Sequence, residues 1–130
     1  MLYTRRYLLA SLGCASGVSA ALGPGSLLAA SAVPCDAIAR LRGLVDDQAS
    51  ARQLGRSYRA LFPVESDPAE LARLILGSLA CTGNPQTLKR DELLTALDQR
   101  VRAEFGAGHT LPVEGWILSL TEARLCALCE

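Results

Sequence analysis

Cys126-Ala127-Leu128-Cys129 is the stretch of this chain with the most latent chemistry. Two thiols three residues apart can form a redox couple, supply half of a metal site, or open a haem-attachment motif. Haem attachment needs a histidine directly after the second cysteine, and residue 130 is Glu. A reactive pair gains acidity at a helix N-terminus, whereas this pair falls in the last turn of a predicted helix, where the dipole opposes a thiolate. A zinc site would have to recruit Cys35, Cys81 or His109, at spacings that match no recognised ligand pattern. No metal or cofactor is therefore expected. The leading reading is structural: Cys35, Cys81, Cys126 and Cys129 form an even set able to make two disulfides in an oxidising compartment, with three connectivities open. Free buried thiols, a metal site and redox catalysis are the other readings.

The remaining candidates are weaker. His109, the only histidine, lies between Gly108 and Thr110 with no serine or cysteine nucleophile nearby in sequence, and reads as a loop residue. Trp116, the only tryptophan, is expected to cap the core, with a partner-binding anchor as the sharper option. Arg52, Arg56 and Arg59 fall on one exposed helix face, either solvated or facing an acidic partner surface. Asp46-Asp47 and Asp91-Glu92 are helix-end charges, not a catalytic dyad, and there is no glycine-rich phosphate loop. No catalytic residue is assigned.

The elements that must position these residues are mainly helical. The pattern predicts a small bundle of four to five helices with a short β-hairpin-like extended pair before the last one. The first helix spans about residues 36–46, with Ile38, Leu41, Leu44 and Val45 on one face. The second starts at a capping box, Ser50 with Gln53, and buries Leu54, Tyr58, Leu61 and Phe62 before Pro63 ends it. The third opens on Asp67-Pro68 with Glu70 and turns Leu71, Leu74, Ile75 and Leu79 inward, with Cys81 as a further candidate for that face. The fourth covers about residues 87–105, burying Leu88, Leu93, Leu94, Leu97, Val101 and Phe105, with Gly106 as its C-cap. Thr110–Val113 and Trp116–Leu118 then read as strands joined at Glu114-Gly115, and Ser119 with Glu122 is a capping box launching the last helix. Such local signals and short-range contacts favour fast folding.

Ahead of this domain the composition changes. Tyr7 to Cys35 carries no charge, and all acidic residues lie beyond position 35. The start, Thr4-Arg5-Arg6-Tyr7-Leu8-Leu9, resembles the twin-arginine signal motif: Thr4, Arg5, Arg6, Leu8 and Leu9 match it, and Ala10 stands where a lysine is common. The apolar run from Tyr7 to Leu22 is short for a bilayer, Gly23-Pro24-Gly25 breaks it, and Ala30-Ser31-Ala32 offers an A-x-A cleavage site before Val33. A retained anchor is the second reading and a lipoprotein the third. The resemblance implies a signal peptide over residues 1–32 and a mature domain over 33–130. It further implies passage through the twin-arginine translocase as folded cargo, a periplasmic or secreted location, and only transient contact with the membrane. The segment from Glu114 to Leu128 is similar to the ending of small proteins exported this way, a likeness that brings no activity with it.

Without the leader, eleven basic residues face thirteen acidic ones. So weak a field gathers neither nucleic acid nor anionic lipid. By analogy with the small subunits of exported dehydrogenases, the sequence leads to a non-catalytic accessory protein, a subunit or escort of a larger periplasmic oxidoreductase. A free-standing, disulfide-stabilised binding or stress module is the second reading, and a cysteine-based redox or metal protein the third.

Overall fold

In the computed structural model, residues 33–130 are described. Thr4, Arg5, Arg6, Leu8, Leu9, Ala30 and Ala32 lie outside the described residues, and Val33 is the first residue within them. The described elements are α1 (Cys35–Arg42), α2 (Gln48–Leu61), α3 (Pro68–Gly77), α4 (Arg90–Ala107), β1 (Thr110–Val113), β2 (Trp116–Ser119) and α5 (Leu120–Leu128), with single 3-10 turns at Pro63–Glu65 and Pro85–Thr87. This is the mainly helical bundle with a hairpin before the last helix that the pattern predicts. No described helix is long and apolar enough to cross a membrane.

Local chemistry accounts for most boundaries. The Asp67 carboxylate accepts from the Glu70 N–H at 2.9 Å, and Pro68 occupies the first turn, where a missing donor costs nothing. The Ser119 hydroxyl accepts from the Glu122 N–H at 3.1 Å while the Glu122 carboxylate takes the Ser119 N–H at 2.9 Å, the reciprocal pair of a capping box. Glu114 (φ 50°) and Gly115 (φ 83°) both adopt left-handed backbone, the two-residue turn whose twist matches paired strands. The register is Val113 opposite Trp116, Pro112 opposite Ile117, Leu111 opposite Leu118 and Thr110 opposite Ser119.

Several boundaries differ from the sequence reading. Helix α2 starts a turn before Ser50: Asp47 is the N-cap, and its carboxylate takes both the Ser50 N–H (3.1 Å) and the Ser50 hydroxyl (2.6 Å). The shorter α1 ends at Arg42, because Gln48 reaches back to the Arg42 and Val45 carbonyls and closes a turn there. Helix α4 runs past Gly106 to Gly108, whose φ of 75° supplies the left-handed C-cap.

The core is organised around α5. With nine residues this helix is too short to stand alone in water, yet it touches α1, α2, α3 and α4. Ala123, Ala127 and Leu128 are fully buried, packed with Leu41, Tyr58, Leu71 and Ile75. The inward face of α2 is only partly the expected one: Tyr58 is buried as predicted. Ala51, Gly55 and Tyr58 are buried, while Leu61 and Phe62 remain exposed. The reason is proximity: α5 runs so close to α2 that only small residues fit between the backbones. A methyl group at Gly55 would stand 2.2 Å from the Cys126 carbonyl oxygen.

Candidate functional site

The end of α5 brings together most of the residues with candidate chemistry. Cys126 and Cys129 lie in its last turn, joined by a Cys129 N–H to Cys126 carbonyl bond of 3.1 Å. The orphan carbonyls of that end are met by arginines. Arg59 Nε and Nη2 donate to the Ala127 oxygen at 3.1 and 2.8 Å, and Arg42 Nε donates to the Leu128 oxygen. Arg56 and Arg59 also approach the Glu130 carboxylate at 3.3 and 3.9 Å. Positive charge at a helix C-terminus is favourable, so the acidic surface that Arg56 and Arg59 meet belongs to their own chain. Arg52 stays exposed beside Cys129.

The four cysteines of the described residues are free thiols, so the two expected bridges are not formed. Cys35 opens α1 and is exposed, whereas Cys129 is buried at the C-terminal cap of α5. Cys81 lines an open hollow of about 410 Å³ with Leu88, Asp91, Glu92 and Thr95. Burial pushes the Cys126 thiol up to about 11, and the neighbouring Cys129 and Glu122 add to the shift. Burial also raises Cys129, against the opposing pull of Arg42, Arg52 and Gln48. Protonated thiols of this kind are poor nucleophiles and poor metal ligands. Among the described residues no group of three His, Cys, Asp or Glu side chains converges as a metal site.

His109 is exposed and enters only through its backbone, its N–H reaching the Glu104 carbonyl at 2.8 Å and its carbonyl taking the Leu120 N–H at 3.2 Å. Trp116 does not cap the core: it is 66% exposed. Helix α2 leans over β1, with the Ser57 hydroxyl on Glu114 at 2.6 Å, and leaves the outer strand β2 open at that end.

Three arrangements escaped the sequence reading. Glu104 on α4 is 1% exposed. Its carboxylate takes the Thr121 N–H (2.8 Å), the Thr121 hydroxyl (2.9 Å) and Arg100 Nε (2.9 Å). Burial works to raise its pKa, but these donors outweigh it and hold the carboxyl below the usual range. The second is a triad under the loop after α2. Arg124 grips Glu65 with two bonds (2.9 and 3.1 Å), and the buried Tyr58 hydroxyl donates to the same carboxylate at 2.5 Å. Arg124 lowers the Glu65 pKa, while burial, followed by Glu65 itself, pushes the Tyr58 phenol up to about 12. The third is what that triad holds up: Leu61, Phe62 and Val64 are 60%, 40% and 92% exposed on a turn whose Pro63 fixes the backbone. Pro63 directly after Phe62, inside an unbroken apolar run from Leu61 to Val64, was the available signal.

Comparison with known protein families, with curated proteins and with solved structures finds no match to this chain.

Proposed function

We propose that this chain is an exported, non-catalytic accessory protein, a small subunit or escort that docks on a larger periplasmic oxidoreductase. The observation that carries the reading is the apolar turn Leu61–Val64, three open hydrophobic side chains held from beneath by the Tyr58–Glu65–Arg124 network. A loop already fixed in shape loses little entropy on binding, which favours use as a docking surface over a chance exposure. Phe62 is further steadied by its ring against Tyr58, with centroids 4.8 Å apart. The twin-arginine-like leader supports the location and the class of partner, since that route carries folded proteins and their escorts. The alternative of a cysteine-based catalyst finds no support in thiols that burial keeps protonated.

Gentle isolation of the native protein tests this reading. A larger flavo-, quino- or metalloprotein is expected to co-elute, and its recovery to fall at least tenfold when Phe62→Asp and Val64→Asp are combined, with helical content unchanged. A chain that elutes alone at native concentration, or a partner retained by the double variant, would count against it.

A further inference from the structure

The hairpin has two edges, and they are not equivalent. The Leu120 N–H to His109 carbonyl bond fixes the parity of the ladder: pairs two and four steps along, Leu111 with Leu118 and Val113 with Trp116, face each other through hydrogen bonds. The backbone groups of Thr110, Pro112, Ile117 and Ser119 therefore point away from the partner strand. On the β1 edge Pro112 has no N–H to offer. On the β2 edge the Ser119 N–H is taken by Glu122 at 2.9 Å, and the Ser119 residue caps α5. What remains on β2 is one outward donor and one outward acceptor, both on Ile117. Among the described residues no hydrogen bond engages either of them.

We infer that β2 is a self-association edge, at which two copies of this chain pair antiparallel about Ile117. A single residue with one donor and one acceptor is self-complementary under a two-fold axis: Ile117 N–H meets the Ile117 carbonyl of the second copy, and the reverse, leaving neither copy with an unmet group. The side chains agree with this register. Trp116 falls opposite Leu118 of the second copy, on the face that already carries Leu111 and Val113. The two Ile117 side chains meet on the other face, flanked by Pro112 of each copy, so both rows of the resulting four-stranded sheet are apolar. This pairing would cover Trp116 and Ile117, each 66% exposed, the two open hydrophobic residues of the hairpin. Beyond Leu118, Ser119 falls opposite the turn residue Gly115 of the second copy, which presents no side chain.

The area sets the strength. Two large side chains at that exposure leave on the order of 250 Å² of apolar surface per copy. The pair then buries less than the ~1,000 Å² of a stable interface, which makes the association weak and dependent on concentration. The inference concerns a surface apart from the Leu61–Val64 turn and is tested on the purified full-length chain alone.

Sedimentation equilibrium from about 10 µM to 1 mM is expected to show a monomer giving way to a dimer, and the Ile117 amide to gain protection from hydrogen exchange over the same range. Ile117→Lys, which charges the edge, and Ile117→Pro, which removes the outward N–H together with the isoleucine side chain, should each weaken association at least tenfold with unchanged circular dichroism. A monomer at every concentration, or a dimer indifferent to both substitutions, would overturn the inference. So would a dimer lost in Ile117→Lys yet kept in Ile117→Pro, because association would then not run through the strand edge.

Discussion

Gly55→Ala is expected to cost at least 3 kcal/mol and to lower the melting temperature by ~15 °C or more. The added Cβ would stand 2.2 Å from the Cys126 oxygen, 2.6 Å from its carbonyl carbon and 2.8 Å from the Ala127 Cα. All three are backbone atoms of α5, so no side-chain rotation relieves the clash; one helix has to move. Because α5 touches every other helix, moving it disturbs the whole core. Overpacking of ordinary cores costs about 1–3 kcal/mol, and a backbone-on-backbone clash belongs at or beyond the top of that range. In a domain of this size each kcal/mol is worth ~4–8 °C. Gly106→Ala is the control, since a Cβ there meets nothing within 4 Å and lies inside α4. It should stabilise by about 1 kcal/mol through helix propensity alone. Thermal melts followed by circular dichroism check both, and a Gly55→Ala protein melting within 3 °C of the parent would refute the close-packed α2–α5 seam.

The second large effect centres on Glu104. Glu104→Ala leaves the Thr121 N–H and hydroxyl buried without an acceptor and Arg100 without its ion pair. Breaking a buried charged group from its partners costs about 3–5 kcal/mol, enough to remove much of the 5–15 kcal/mol a small domain has. Glu104→Gln, which keeps an acceptor oxygen, should cost less than half as much. The folded carboxyls of Glu104 and Glu65 both sit below the ordinary glutamate value of 4.5. The stability they contribute is therefore present in full above that value and is lost as the pH falls below 4.5 through the depressed folded values. Chemical denaturation between pH 7 and 3 should show this decline in the parent, and a shallower one in Glu104→Gln, where only Glu65 remains of the pair. Equal slopes in the two proteins would assign the acid sensitivity elsewhere.

These two residues also mark where reading the sequence stops working. Signals confined to a few neighbouring residues were legible: Asp67-Pro68 opening α3, Glu114-Gly115 turning the hairpin, Ser119 with Glu122 capping α5. Each is satisfied by chemistry within four positions. Facing was less legible, because it depends on what lies opposite. The large residues Leu61, Leu94 and Phe105 look like core on a helical wheel, yet they are exposed. Ala51, Gly55 and Ala96 take the inward positions where helices approach closely. Glu104 reads as one more surface charge until Thr121, seventeen residues further on, is seen to need its acceptors. At the start of α2, Asp47 and Ser50 both make acceptable caps; Gln48, bonding back to Arg42 and Val45, selects the earlier one. The cysteines were counted correctly as an even set, but whether they pair is not written in their spacing, and all four are free thiols.

The arginines teach a related lesson. A basic stripe at 52, 56 and 59 looks like a surface awaiting an acidic partner. Arg59 instead closes the C-terminal end of α5, and Arg56 leans on Glu130. That leaves the Leu61–Val64 turn as the surface that the proposed partner has to recognise, and the β2 edge for a second copy.

The account as a whole depends on the twin-arginine route assigned to the leader, and an export assay tests that most directly. A fast-folding fluorescent reporter placed behind residue 40 is expected to reach the periplasm. Changing Arg5→Lys together with Arg6→Lys, or removing the twin-arginine translocase, should then hold it in the cytoplasm. A reporter that still arrives in either case would contradict the proposed route, and with it the reading of this chain as the folded escort of an exported enzyme.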